Sequence, residues 1–236
     1  MSDHKMNVGI IGSGNIGSTL ARNLKALGHE VQIANSRGPA TLAAFAAETG
    51  VVAATVEQAS GAADLVIIAI PQRAVADLPH EVLRKNLAVV VDAGNYYPTR
   101  DGVVAQVEEG ATDSEWIASV LGRPVVKAFN NILAESLATR GQSGGSAGRI
   151  ALSVAGDNTE AKHLVQDLVR ELGFDAIDGG TLAESWRQQP GTPAYCKDLN
   201  AAQLEEALAS ASKTEIPSYR KDADSAAAPY LTPFKG

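Results

Sequence analysis

The sequence predicts an α/β chain built on a doubly wound parallel sheet, with a small αβ unit appended on its carboxyl side. Three observations carry that prediction. Short apolar runs alternate with segments of helical spacing from residue 7 to residue 129. Those runs are apolar almost without interruption, as strands covered on both faces must be. The first run meets the first helical segment through a glycine-rich turn, Gly12-Ser13-Gly14-Asn15-Ile16-Gly17. Strands alternating with helices imply a parallel sheet with helices on both faces, and right-handed crossovers make it doubly wound.

The elements follow in order. Asn7–Ile11 reads as a buried strand, and residues 18–27 as a helix with Leu20, Leu24 and Leu27 at helical spacing. Residues 29–34 alternate and form the second strand. Pro39 opens a helix over residues 40–48, residues 51–54 make a short third strand, and residues 56–62 a further helix. Residues 64–70 form the fourth strand, stopped by Pro71. Residues 74–83 read as a helix, and residues 87–92 as a fifth strand ending at Ala93-Gly94-Asn95. A helix over 115–121 precedes the sixth strand, residues 124–129.

Beyond Ile132 come a short helix over 133–139 and a loop of Gly, Ser, Gln and Ala over 141–148. Strand 149–155, helix 159–172, strand 174–178 and a helix near 201–212 follow. From Lys213 the chain is rich in Ser, Ala and Pro and reads as irregular. This divides the chain into residues 1–133, a nucleotide-binding domain, and residues 134–236, an appendage with an irregular tail. The appendage is too short for a large helical second domain.

A strand, a G-x-G-x-x-G turn and a helix in that order form the dinucleotide-binding fingerprint. Gly12 allows the tight turn, Gly14 removes the Cβ that would bar a diphosphate, and Gly17 lets the helix pack close. Asn15 and Ile16 complete the turn, whose freed amides hold the anion together with Ser13. The end of the second strand selects the dinucleotide. NAD enzymes usually place Asp or Glu there, roughly 20 residues past the glycines, to hold the ribose 2′-hydroxyl. This chain has Asn35 and Ser36 there, followed by Arg37. A carboxylate repels a 2′-phosphate, whereas a guanidinium grips it. The expected cofactor is therefore NADP(H). Ligands of such sheets lie at the carboxyl ends of the strands. That places Ala69, Ile70, Pro71 and Val75 around one crevice with Ala93, Gly94, Asn95, Ala128 and Asn130.

Composition narrows the function. A net charge of −7 argues against nucleic acid and anionic membranes as partners. The longest apolar run, residues 65–70, falls far short of the roughly 18 residues that span a bilayer. Residues 1–5 are polar and no secretory leader is expected. The single cysteine, Cys196, cannot form an internal disulfide, which fits a cytoplasmic location and reads as an inert thiol. The four histidines, His4, His29, His80 and His163, show no metal-ligand spacing, so no metal site is expected. His29 follows Gly28 and is expected as a solvated residue at a helix end.

Ser143 and Ser146 each match a G-x-S-x-G nucleophile elbow, but the order helix, loop, strand is wrong for it, and a flexible loop or lid is the better reading. Strand alternation points Lys127 outward at its strand end, with a catalytic acid as the alternative. Asp92 reads as a structural hydrogen-bond acceptor rather than a base. The segment 185–195 stays open between a packed surface loop and substrate recognition, with Trp186, Arg187, Pro193 and Tyr195 as candidates. No catalytic side chain emerges.

The glycine turn, Asn35-Ser36-Arg37-Gly38-Pro39, Ile70-Pro71 and Val126-Lys127-Ala128-Phe129-Asn130-Asn131-Ile132 together resemble the NADPH-dependent reductases of coenzyme F420, a family that includes flavin-using cytoplasmic reductase domains. The resemblance covers nearly the whole chain and is strongest in the nucleotide half. It implies NADP over Ser13 to Ile16, its 2′-phosphate on Ser36 and Arg37, and nicotinamide near Pro71 and Ala128 to Asn130. A deazaflavin or flavin would stack there beneath the appendage, in a homodimer. Hydride transfer between two stacked rings asks the protein for orientation and exclusion of water. Two other readings share these residues: a reductase of a small carbonyl or imine, with Lys127 as proton donor, and an NADPH-sensing protein without chemistry. The 141–148 loop and the 185–195 segment depart from the family pattern.

Overall fold

The computed structural model describes residues 5–62 and 64–234; His4 and the polar residues before Lys5 lie outside them. The strands are β1 Asn7–Ile11, β2 Glu30–Ala34, β3 Val52–Ala53, β4 Leu65–Ile68, β5 Val89–Asp92, β6 Val126–Lys127, β7 Ala151–Val154 and β8 Asp175–Asp178. The helices are α1 Asn15–Ala26, α2 Ala43–Thr49, α3 Val56–Ser60, α4 His80–Lys85, α5 Pro98–Asp101, α6 Ala105–Glu108, α7 Asp113–Leu121, α8 Ala134–Thr139, α9 Thr159–Glu171, α10 Ala201–Ser210 and α11 Ile216–Ala227.

The first six strands form one parallel sheet in the order β3-β2-β1-β4-β5-β6. This is the doubly wound Rossmann order, with the chain reversing direction across the sheet between β1 and β4. Side chains alternate across each strand. Val8, Ile10, Ile33, Ile67 and Val91 enter one apolar layer with Leu20 and Leu24 of α1. Ile11, Ala34, Val66, Ile68 and Val90 enter the other, with Ile117 and Leu121 of α7. Both faces are covered, which is why the strands read as unbroken apolar runs.

The carboxyl unit is fused to this sheet. Strands β7 and β8 pair in parallel, and Lys127 and Ala155 exchange backbone hydrogen bonds of 2.8 and 3.0 Å. Leu152, Val154, Val165 and Phe174 share the apolar layer of α1, so one core runs through both parts.

Three local readings are corrected. Residues 74–83 are not one helix: a 3-10 turn, Gln72–Asp77, precedes α4, and Leu78 between them is extended at φ −70°, ψ 154°. Pro79 explains the break, because proline disfavours helical geometry in the residue before it. The irregular tail contains α11, with Pro217 in its first turn, where proline opens a helix rather than ending one. His29 is fully buried, not solvated. Its Nδ1 accepts from Met6 N–H at 3.1 Å, and Glu171 stands 3.3 Å from Nε2. Helices α5 and α6 and the 3-10 turn Leu182–Gln188 also escaped the sequence reading.

Candidate nucleotide site

The three glycines of the turn meet different surroundings. Gly12 sits at φ +118°, and a Cβ on it would stand 2.2 Å from the Ala69 carbonyl oxygen. A Cβ on Gly17 would stand 2.0 Å from the Gly12 carbonyl oxygen, so helix and turn touch only because that side chain is absent. A Cβ on Gly14 would meet nothing within 4 Å. The space above Gly14 is open, where a diphosphate is expected. Gly14 is the N-cap of α1, no side chain caps the helix, and its first turn holds no acidic residue. The helix therefore presents free amides and the positive end of its dipole to that space.

Gly12 and Gly14 line a cleft of about 700 Å³ at the carboxyl ends of β1, β2 and β4. Of the residues read from the sequence, Gly12, Ser13, Gly14, Asn35, Ser36, Arg37, Ala69, Ile70 and Pro71 all line it. Asn35 holds the β2 end in place: its Nδ2 donates to Ser13 Oγ at 3.1 Å, and its Oδ1 accepts from Arg37 N–H at 2.9 Å. Ser36 and Arg37 are exposed, and among the described residues the Arg37 guanidinium has no ion-pair partner. These features fit a phosphorylated nucleotide: open space over uncapped amides, flanked by an uncommitted guanidinium.

Other candidates lie outside the cleft wall. Asn15 and Ile16 stand at the start of α1 and Gly17 against the turn. Val75 is in the apolar layer beneath, and Ala93 and Ala128 are in the opposite one. Gly94 N–H donates to Asp92 at 2.8 Å. Asn130 is buried and saturated: its Nδ2 donates to Asn95 Oδ1 at 3.1 Å and to the Gln188 carbonyl at 2.7 Å, while its Oδ1 accepts from Gln188 Nε2 at 2.8 Å.

Lys127 does not point outward. It is fully buried, and its Nζ donates to Asp92 Oδ2 at 2.9 Å and to the Gly94 carbonyl at 2.6 Å. Asp92 also accepts from Ser114 Oγ at 2.7 Å, the structural role expected of it. The outward reading rests on strand alternation, but β6 is only two residues long and Asp92 draws the ammonium inward.

The segment 185–195 folds over the carboxyl ends of β5 and β6, not into the cleft. Gln188 reaches Asn130, Gln189 Nε2 donates to Asp113, and Cys196 N–H donates to the Asn131 carbonyl at 3.0 Å. Asp113 is buried, and desolvation raises its carboxyl above the ordinary range. Trp186 is buried, with Arg187 stacked 4.6 Å over its ring. The Tyr195 hydroxyl lies 2.5 Å from that of Tyr97, and burial raises both phenols. Pro193 is half-buried beside them. Phe129 and Cys196 adopt left-handed backbone, at φ 63° and 47°. Such strain in non-glycine residues clusters at functional sites. Burial pushes the Cys196 thiol up, consistent with an inert group.

The 141–148 loop is exposed but packs on the α9–β8 turn, where Gln142 N–H donates to the Gly173 carbonyl at 2.8 Å. Among its described contacts none reaches the cleft, so the lid reading gains nothing from its placement. No cluster of metal-ligating side chains exists among the described residues, and no helix there is long and apolar enough to cross a membrane. Sequence reading missed Thr55, Glu57, Arg73 and Asp77 in the cleft wall. Two signals were available: Thr55-x-x-Gln58 is a capping box that places the start of α3, and Arg73 lies two residues beyond the proline that ends the fourth strand.

Residues 7–96 match the family described as NADP oxidoreductase, coenzyme F420-dependent. A solved hypothetical protein of Sinorhizobium meliloti is 35% identical with a TM-score of 0.73, the match covering 83% of this chain and 95% of that one. A solved Arthrobacter protein named as an F420-dependent NADP reductase is 26% identical with a TM-score of 0.65, covering 76% and 87% of the two chains. The Escherichia coli protein YjhV is 49% identical over 71 residues, 30% of this chain, and the matched stretch spans about half (52%) of YjhV's own length. With the glycine turn, strand order and cleft as described, the nucleotide-binding part of the chain, residues 7–96, belongs with the coenzyme F420-dependent NADP oxidoreductase family, among the NAD(P)-dependent oxidoreductases.

Proposed function

We propose that this protein binds NADP(H) in the β1–β2–β4 cleft and passes a hydride between it and a ring-shaped redox carrier, a deazaflavin of the F420 kind or a flavin. The observation that carries the nucleotide choice is the end of β2. Exposed Ser36 and Arg37 stand in the cleft wall where an NAD-specific site would carry a carboxylate.

A bound nicotinamide supplies the hydride; the protein supplies position. The amides at the start of α1 hold the diphosphate, and Ser36 and Arg37 take the 2′-phosphate. Ile70 and Pro71 form the apolar wall that directs the dinucleotide toward the ends of β5 and β6. There the folded-over 185–195 segment excludes water. The rival reduction of a small carbonyl or imine depended on Lys127 as proton donor. Its ammonium is instead committed to Asp92 and Gly94 in a sealed site, which favours direct ring-to-ring transfer.

Calorimetric titration with NADPH and NADH tests the nucleotide. NADPH should bind more tightly, and Arg37→Ala should weaken NADPH by about tenfold or more, the range of a lost charge-assisted hydrogen bond, while leaving NADH within about twofold. Equal or tighter NADH binding by the native protein overturns the choice. Absorbance at the NADPH band, followed with F420 and with FMN, tests the carrier. Turnover with neither overturns it.

A further inference from the structure

We propose that Arg73 is a second nucleotide-gripping cation, closing on the diphosphate bridge from the β4 side of the cleft, opposite the amides of the glycine turn. The proposal rests on the nucleotide reading above and adds to it a residue, a subsite and a distinct energetic signature.

Arg73 lines the cleft and is exposed, two residues beyond Pro71. Its Nη1 donates to the Arg100 carbonyl at 2.7 Å. That contact fixes the direction of the side chain while leaving its charge uncompensated. The nearby carboxylate, Asp101, is committed elsewhere. It accepts from Arg100 Nε at 3.1 Å, from Arg100 Nη2 at 2.8 Å and from Tyr97 N–H at 3.0 Å. Arg73 reaches it only through a backbone N–H at 3.4 Å. Two carboxylates share the cleft wall, Glu57 and Asp77, and neither forms an ion pair with Arg73 among the described residues.

Topology decides which phosphate this cation meets. In the order β3-β2-β1-β4-β5-β6, Arg37 follows β2 on the adenosine side, and the glycine turn follows β1. Arg73 follows β4 and is tethered to Arg100, beyond the end of β5. It therefore stands across β1 from Arg37, on the side where the chain of the ligand leaves its diphosphate for the nicotinamide ribose. A guanidinium held by one N–H keeps its remaining donors for the planar fork that matches phosphate oxygens.

The two arginines then differ in what they read. Arg37 distinguishes NADPH from NADH, whereas Arg73 binds what the two share. Calorimetry with four ligands separates the roles: NADPH, NADH, ADP-ribose, and adenosine 2′,5′-bisphosphate, which has the 2′-phosphate but no diphosphate. Arg73→Ala should weaken NADPH, NADH and ADP-ribose by a common factor of about tenfold and leave the bisphosphate within about twofold. Arg73→Gln, which keeps a donor for the Arg100 carbonyl without the charge, should lose as much, with an unchanged melting temperature.

A loss confined to NADPH and the bisphosphate would move Arg73 to the 2′-phosphate and overturn the proposal. So would unchanged binding of all four ligands, or native affinity in Arg73→Gln. If the native protein binds none of them, the nucleotide reading itself fails. If the native protein binds them and the two Arg73 substitutions leave that binding unchanged, the failure belongs to this proposal alone.

Discussion

Gly14 and Gly17 lie three residues apart in one turn, and the same substitution at each should fail for opposite reasons. At Gly14 the backbone is extended, at φ −74° and ψ −173°, which any residue adopts. The added methyl group meets nothing within 4 Å. Replacing glycine lowers the entropy of the unfolded chain by the equivalent of about 0.4–1 kcal/mol, and alanine is a somewhat poorer N-cap by a similar amount. The two nearly cancel, so Gly14→Ala should melt within about 2 °C of the native protein. Its methyl group nevertheless occupies the space a diphosphate needs against the amides of α1, and nucleotide affinity should fall by about tenfold or more.

At Gly17 the methyl group meets the Gly12 carbonyl oxygen at 2.0 Å and Ala69 Cβ at 3.4 Å. Ordinary contact begins near 3.4 Å, so helix and turn must part by more than an ångström. Helix propensity favours alanine there by about 0.5–1 kcal/mol. Overpacking of a fitted interface costs about 1–3 kcal/mol and falls here on backbone that cannot rotate away. Gly17→Ala should therefore lose stability, by roughly 2–8 °C in melting temperature, and nucleotide affinity as well. Thermal melts paired with NADPH calorimetry distinguish the two. A Gly14→Ala protein that binds NADPH like the native one, or a Gly17→Ala protein that melts with it, refutes the assignment of open space to one glycine and close approach to the other.

Two further predictions concern the buried polar groups. Lys127→Met should remove about 3–5 kcal/mol of stability in urea unfolding, because it leaves the buried Asp92 carboxylate without its cation; a loss below about 1 kcal/mol would mean that the pair is not sealed. The Tyr96 hydroxyl stands 3.0 Å from both the Gly102 carbonyl oxygen and Glu108 Oε1, which share its single proton, and burial pushes its phenol up to about 12. The unfolded chain then releases this proton near pH 10 while the folded one retains it. The stabilising contribution is thus whole below pH 10 and declines toward pH 12. Tyr96→Phe should flatten that part of the stability profile, and an unchanged slope would remove the effect.

What the sequence disclosed and what it withheld follow from the range of the forces involved. The six parallel strands and the Gly12–Arg37 wall of the cleft were legible because each depends on neighbours in the chain. Apolar runs, an invading glycine turn and a strand end all act within a few residues. The break at Pro79 and the helix opened at Pro217 went unread because proline ends one helix and opens another, and only the flanking geometry distinguishes the two. Lys127 and His29 were misread for a different reason. Their partners, Asp92 and Met6, lie 35 and 23 residues away, and no local pattern records that a polar side chain will find them.

The same distinction bears on the second half of the site. The 185–195 segment contacts Asn130 and Asp113 across sequence separations of 58 and 76 residues, through Gln188 and Gln189. Neither glutamine lay among the candidates drawn from composition, which favoured the aromatics and Arg187 beside them. A segment held by long-range amide contacts leaves no periodic trace, whereas a phosphate-binding turn must be written contiguously because consecutive amides do the binding. The proposed nucleotide end is therefore readable from the chain, and the proposed carrier end is readable only once the fold has brought β5, β6 and residues 185–196 together. If that is correct, exchanging Gln188 for leucine should disturb the carrier end while NADPH still binds at the glycine turn. Loss of NADPH binding in that variant would show that the two ends are one cooperative unit, and the division drawn here would fail.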